Sequence, residues 1–498
     1  MVFQYKHIEN LPPLAWLAEI KGGIVKVIHG SMVEVKENWF VEGAWSGEFG
    51  QGDFLEADWF CGTGAKNCGE KIVFSTPTHV TYGLYSVENL VGGYSISNSL
   101  YLLMASENFH YDVDYVNYEV DFNTILDGIN RYKNRLQVFD ATGKEREVRI
   151  EYYKEIVISS QGKYESNNKK STKIFTCFYD YYNRLIGSMR SMVDNAQNGL
   201  RSQMYGMVTT VSKGYDAPCC AAVAKKIGCN TALTFRSEGK YKDDCGTDVA
   251  KALGYEEVIE VDANEYLERT DLVETEYICS GELGAQISFC SFDNYVRGNI
   301  LFTGERGDSI WGRFSHNRNN EFCFEDMLSH LGSCERRLWL NYISVPMPLY
   351  GASSWTSIYD ISNSKEMRPW CMNNNYDRPI PRRIVEQAGV GRKQFGVIKH
   401  GAGFVYKFDW MNRITSRMSE TTADSFKQFV EKHKKPHVIQ SILFLWKLRG
   451  TYINRIGIRC KTLSVREYAK IPNPMATRYL IPWAGEYMTE RYKAILER

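Results

Sequence analysis

The sequence predicts an α/β protein: a β-rich first third, a parallel sheet of alternating strands and helices, then a mainly helical end. Three observations carry this expectation. Residues 1–158 hold β-branched and aromatic runs separated by turn residues. Between 207 and 304 short apolar runs alternate with helix-like segments, the pattern of βαβ units. Beyond residue 320 the apolar spacing becomes mainly helical.

Length and composition set the outer bounds. The 498 residues are 44% hydrophobic and 24% charged, which fits a folded protein of two or three domains and excludes disorder. Lys+Arg 60 against Asp+Glu 59 gives a net charge of +1, so no global pull toward nucleic acid or anionic lipid is expected. The first twenty residues carry charges where a secretory signal would be apolar. The run "VIQSILFLWKLRG" is too short to span a bilayer and is broken by Lys447 and Arg449. The 13 cysteines include no CxxC pair, so free thiols in a reducing cytoplasm are expected rather than zinc. Cys219 and Cys220, beside Ala221 and Ala222, read as small buried hydrophobes.

In chain order, "GGIVKVIHG", "KIVFSTP" and "EVRIEYYKEIVI" are expected strands, and "GGYSISNSLYLLMA" a strand entering a helix capped by Asn98 or Ser99. The polar stretch 159–173 is the expected linker between a domain at 1–158 and one at 174–498. Leu185, Ile186, Met189, Met192, Val193 and Ala196 share one helical face. After it come a strand "MVTTV", a helix over 217–227, a strand "NTALTF", a helix "TDVAKALG", a strand "EEVIEVD" and a later strand "NILFTG".

Ligands of parallel sheets bind beyond the carboxyl ends of the strands. Two turns rich in Gly and Asp are expected on that edge, "SKGYDA" (212–217) and "TGERGDS" (303–309). Pro218 suits the first turn of a helix whose N-terminal N–H groups face the first turn, the outline of an anion site. No GxxxxGK[ST] motif exists in the chain. Asp216 and Asp308 are a carboxylate pair suited to Mg²⁺, and each alone is equally an Asx turn or helix cap.

"SKGYDA" resembles the SGGxDS PP-loop of the ATP pyrophosphatase superfamily. "LFTGERGDSIWG" (301–312) resembles the LSGEGxDExxxG segment of asparagine synthetases, and "KEMRPW" (365–370) their E-x-R-x-P-F element. "GRKQFG" (391–396) resembles the loop with the late catalytic lysine of asparagine and β-lactam synthetases. "YDRPIPRRI" (376–384) resembles a segment of the asparagine synthase-related proteins met in bacterial cell-surface polysaccharide gene clusters. The motifs stand in the family's order, and the resemblance covers residues ~180–405, with the first ~158 matched only loosely.

The resemblance implies a PP-loop (adenine nucleotide α-hydrolase-like) synthetase domain, preceded by a degenerate Ntn-glutaminase-like domain. It implies ATP and Mg²⁺ as cofactors. Ser212, Lys213, Gly214, Tyr215, Asp216, Ala217, Thr234, Phe235, Thr303, Gly304 and Arg368 would hold the nucleotide, and Asp216 and Asp308 the metal. Lys393 would stabilise developing charge, and Glu305 would take a proton from the attacking nitrogen. Arg368, Arg378, Arg382, Arg383 and Arg392 form a basic set suited to phosphates or a carboxylate, although an arginine-rich helix surface explains any one of them as well. Two departures stand out: Lys213 replaces a family Gly or Ser, and Ala217 replaces a pyrophosphate-binding Ser. Val2 stands where glutamine-dependent members carry a nucleophilic cysteine, so no glutaminase activity by that route is expected.

The resulting expectation is a cytoplasmic, AMP-forming amide ligase. It would adenylate a small carboxylate, then let an amine or ammonia attack, in cell-surface polysaccharide or secondary-metabolite synthesis. No nucleic-acid or membrane partner is expected, and a homodimer is left open. The alternatives are an impaired PP-loop nucleotide-binding module and a PP-loop nucleobase- or tRNA-modifying enzyme.

Overall fold

The structure is a computed structural model that describes residues 1–89, 92–115, 118–170, 173–239, 242–279, 287–313, 333–398, 411–433 and 476–498. The run "VIQSILFLWKLRG" lies outside the described residues, as does much of the stretch expected to be helical beyond 320.

Among the described residues, thirteen strands build the first region. They are β1 (Val2–His7), β2 (Trp16–Lys21), β3 (Ile24–His29), β4 (Glu34–Lys36), β5 (Trp39–Trp45), β6 (Phe60–Asn67), β7 (Lys71–Ser75), β8 (Leu84–Asn89), β9 (Gly93–Ser97), β10 (Arg135–Phe139), β11 (Glu145–Glu151), β12 (Lys154–Ser159) and β13 (Tyr164–Asn168). They form a seven-stranded sheet, β1-β3-β2-β9-β8-β11-β10, and a six-stranded sheet, β13-β12-β7-β6-β5-β4. All pairs are antiparallel except β1 with β3. Trp16, Val25, Val27, Leu84 and Ile96 of the first sheet share one apolar core with Phe40, Phe74 and Ile156 of the second. The Trp16 ring meets Phe40 edge-on at 4.9 Å. Residues of β5 alternate between this core and a second cluster in which Trp39, Val41 and Trp45 pack with Phe49, Phe54 and Phe60. Both faces are therefore covered, which is why every residue of β5 is buried.

The stretch expected as a linker is partly sheet. β13 pairs with β12 from Lys154↔Asn168 to Ile158↔Tyr164, around a turn at Gly162 (φ 80°). Tyr164 packs against the sandwich core, and its hydroxyl lies 3.1 Å from both Ser86 Oγ and Glu151 Oε1. The remaining polar residues fit an edge strand, where charge and polarity discourage further pairing. Helix α1 (Leu100–Glu107) starts where the sequence indicates: Ser99 Oγ accepts from Leu102 N at 3.1 Å. Asn98, the other candidate cap, instead holds Trp16 N and Leu14 O.

Helix α2 (Phe178–Ala196) buries Leu185, Ile186, Met189, Met192, Val193 and Ala196, the predicted face. The third sheet follows: β14 (Gly206–Thr210), β15 (Thr231–Phe235), β16 (Glu257–Val261), β17 (Asn299–Thr303) and β18 (Ile343–Pro346). All neighbours are parallel, in the order β16-β15-β14-β17-β18. Helices α3 (Asp216–Lys226) and α4 (Thr247–Ala252) make the first two crossovers. Cys219 and Cys220 are fully buried in α3, and burial pushes both thiols up, so they pack as small hydrophobes.

A later helix ties the regions together. From α5 (Ser333–Leu340), Arg337 pairs with Glu42 of β5 at 2.6 Å, and Glu335 accepts from Ser99 Oγ at 2.9 Å. Among the described residues, no helix is long and apolar enough to cross a membrane.

Candidate functional site

The order of the parallel sheet locates the site. Chain direction leaves β14 toward β15 and β16 on one side, and resumes with β17 and β18 on the other. The β14/β17 pair is thus the topological switch point, where the loops after two adjacent strands diverge and leave a crevice. Those loops are "SKGY" before α3 and "GER" before a one-turn helix, Gly307–Ile310.

Glycine lets the two turns touch. A Cβ on Gly304 would come 2.5 Å from Ala217 N, and one on Gly307 would come 2.6 Å from Asp216 Cβ. Neither is tolerable for a real side chain, so both positions need glycine for close approach. Between them Arg306 takes the left-handed conformation (φ 69°), which turns the chain sharply into the short helix. This brings Asp308 onto the same side as Asp216. The Arg378 guanidinium donates to Asp216 Oδ2, and Asp216 and Asp308 together keep it firmly charged against the opposing effect of its burial. Asp216 is thus ion-paired with Arg378, and Asp308, from the second turn, acts on the same guanidinium electrostatically.

The segment 376–383 fits over the first loop. A Cβ on Gly214 would come 3.4 Å from Tyr376 Oη, and the Tyr376 ring lies 4.8 Å from that of Tyr215. Helix α6 (Pro379–Gln387) supplies Arg382, whose Nε and Nη2 donate to Tyr215 Oη at 3.1 and 2.5 Å. The "GRKQFG" turn docks on the same loop. Gly396 N donates to Lys213 O at 2.8 Å, and a Cβ on Gly396 would come 2.5 Å from Tyr215 Cε1. Phe395 stands edge-on to Tyr215 at 6.0 Å.

The structure therefore brings together Ser212, Lys213, Gly214, Tyr215, Asp216, Ala217, Thr303, Gly304, Glu305 and Asp308, and anchors the turn bearing Lys393 beside them. Lys393 itself is exposed. Glu305 is half-buried, and burial pushes its carboxyl up to about 7, with Arg306 opposing. Thr303 Oγ1, at the carboxyl end of β17, is buried with no hydrogen-bond partner among the described residues.

Other expected residues have different work. Thr234 Oγ1 accepts from Gly246 N at 2.8 Å, and Phe235 stacks on Phe292 at 4.4 Å. Their side chains are committed inside the protein. Arg368 is exposed on the turn Lys365–Trp370 and makes no hydrogen bond or ion pair with either glycine turn. Its neighbour Glu366 accepts from Phe178 N at 2.8 Å, so this element anchors the start of α2. The basic set is not one patch. Arg382 is buried against Tyr215 and Phe395; Arg383 is buried among Phe178, Tyr179 and Trp370; Arg392 pairs with Glu386 at 2.8 Å. Of these four with Arg378, only Arg378 reaches the carboxylates.

Sequence reasoning missed Tyr376, and it read Gly307 and Gly396 only as letters of their motifs. Tyr376 opens the quoted "YDRPIPRRI" segment, so that motif held the signal, although attention to charge pointed to the arginines instead. Among the described residues, no group of three or more His, Cys, Asp or Glu could hold a metal ion by itself. No family model matches the chain, and no curated protein matches it.

Proposed function

We propose that the chain is an ATP-dependent, AMP-forming ligase that activates a carboxylate as its adenylate and joins it to an amine. One observation carries the reading. Gly304 and Gly307 pack directly on Asp216 at the switch point of a parallel sheet, so two carboxylates and Arg378 meet where such sheets bind ligands.

The donor set fits Mg²⁺. The ion takes oxygen ligands and commonly uses one or two carboxylates while phosphates and water complete its shell, so Asp216 and Asp308 suffice. Bound there, it would neutralise charge on the departing pyrophosphate. The α3 N-terminus and Lys213 add positive character beside the loop. Glu305, held near a pKa of 7, is suited to accept a proton from an attacking amine at neutral pH. Lys393, on the turn anchored to Lys213, would stabilise charge developing at the reacting carboxyl and α-phosphate. The reaction belongs in the cytoplasm, where ATP is available.

A test is ATP/pyrophosphate exchange in the presence of candidate carboxylates. Asp216→Asn and Asp308→Asn should each abolish exchange while leaving circular dichroism unchanged. Wild-type exchange in both would refute the metal assignment.

A second reading has its own observation. The Arg378 guanidinium already occupies Asp216 Oδ2, and Ala217 lacks a hydroxyl, as in a module that binds nucleotide without cleaving it. Calorimetric ATP·Mg²⁺ binding without pyrophosphate release would favour it.

A further inference from the structure

Far from the carboxylates, four buried polar atoms gather at the seam between the first region and α5. His79 and Tyr82, on the loop between β7 and β8, are fully buried. Trp59, just before β6, and Arg337, from α5, are each 1% exposed. The His79 ring lies 5.6 Å from Trp59 and 4.8 Å from Tyr82, and the Arg337 guanidinium sits 3.8 Å from the centre of the Tyr82 ring. Arg337 Nη1 and Nη2 donate to Glu42 at 2.6 and 2.7 Å. Arg337 Nε, His79 Nε2 and Tyr82 Oη have no hydrogen-bond partner among the described residues, and Trp59 Nε1 has only the weak acceptor Cys61 Sγ. Buried polar atoms are rarely left unmatched, and three in one cluster point to a shared occupant.

Protonation identifies what that occupant must be. Thr81 N donates to His79 Nδ1 at 3.4 Å, with Thr81 Oγ1 3.0 Å from the same nitrogen, which leaves the ring proton on Nε2. Burial, and then Arg337, hold His79 well below its usual pKa, so the ring is neutral. Burial keeps the Tyr82 hydroxyl protonated. Arg337 Nε and Trp59 Nε1 can only donate, and the Trp59 indole stands at the edge, facing the Cys61 thiol. Among these side-chain atoms the cluster therefore offers three uncommitted donors and one acceptor, the Tyr82 oxygen. A water molecule would have two protons to place against that one oxygen. A small anion has none. Glu42 already neutralises Arg337, so the seam could take at most one negative charge, held by its donors, and not a phosphate.

We propose that this seam is a binding site for a small monovalent anion such as chloride, held by His79 Nε2, Tyr82 Oη and Arg337 Nε with Trp59 at its edge. The anion would tie the loop after β7 to α5, and so the first region to the parallel-sheet region.

The test uses the full chain. Thermal unfolding in sodium chloride should show a saturable rise in Tm over sodium gluconate at matched ionic strength, and Tyr82→Phe should remove that rise. Crystals soaked in bromide should show an anomalous peak touching His79 and Tyr82. Equal Tm in the two salts, an undiminished halide effect in Tyr82→Phe, or a bromide map without a peak at the seam would each overturn the proposal. Should Tyr82→Phe fail to fold, the wild-type salt series and the bromide map decide the matter alone.

Discussion

Arg378 donates to the carboxylate of Asp216 across 162 residues of sequence, in a pair where the arginine side chain is 7% exposed and the aspartate 23%. The same carboxylate lies against Gly307, so its position is fixed from two sides. A guanidinium here supplies positive charge beside the Asp216 carboxylate. The pairing thereby preforms the loop, with the Asp216 carboxylate held in place.

Removing that cation should destabilise the fold and change the loop. Breaking a fully buried pair costs about 3–5 kcal/mol, and partial exposure of Asp216 reduces this to roughly 1–3 kcal/mol for Arg378→Met. Urea unfolding measures it. A loss below about 0.5 kcal/mol would mean that the pair is not held in solution.

The glycine contact makes a separate prediction. Gly307→Ala puts a methyl group 2.6 Å from Asp216 Cβ, so the turns must part; overpacking of this kind costs about 1–3 kcal/mol. Nucleotide binding by calorimetry should fall with it. Gly199→Ala, where nothing lies within 4 Å of a new Cβ, is the control and should stay within about 0.5 kcal/mol of wild type. Equal behaviour of the two variants would remove the basis for joining the two turns into one site.

How much of this could be read beforehand follows from which forces are local. β14, β15 and β17 are buried on both faces and appear in the sequence as short apolar runs, and α3 and α4 follow as periodic segments. β18 has only four residues, "ISVP", and falls within the stretch whose spacing reads as helical, because so short a run has no period. β13 reads as linker because edge strands are polar. The site divides the same way. Strand-to-helix turns are local, so their position was legible. The contacts of Gly307 with Asp216 and of Gly396 with Tyr215 join residues 91 and 181 positions apart, and no spacing rule reaches them. Nor does residue type tell an arginine that faces a ligand from Arg383, which packs among three rings.

Glu335 predicts a pH dependence. Its carboxylate accepts from Ser99, Trp339 and Tyr492 in a fully enclosed setting, and burial pushes it up to about 7 from an ordinary value of 4.5. Between those values the folded state keeps a proton that the unfolded chain releases, so stability falls as pH rises from about 4.5 to 7 and is level above that. The contribution is on the order of 3 kcal/mol. Glu335→Gln has no proton to lose. The stability difference between wild type and Glu335→Gln should therefore shift against wild type from pH 5 to pH 8, and a difference independent of pH would contradict the assignment.

Lys393 yields the sharpest test of the proposed chemistry, because its environment separates binding from catalysis. Its side chain is exposed, while its turn is anchored by Gly396 N to Lys213 O at 2.8 Å and by Phe395 against Tyr215. An exposed cation adds about 0–1 kcal/mol to a ground-state ion pair, so ATP affinity in Lys393→Ala should fall by no more than about five-fold. A positioned ammonium matters more where charge develops in a closed site, and its removal typically lowers the rate by about 10²–10³. Lys393→Arg should lose nearly as much, since a planar guanidinium cannot occupy the place of a compact ammonium. The expected result is thus a near-normal Kd for ATP with turnover reduced by two orders of magnitude or more in both variants. Loss of ATP binding in parallel with turnover would make the turn a nucleotide clamp, and undiminished turnover in Lys393→Ala would leave it a structural cover over Tyr215.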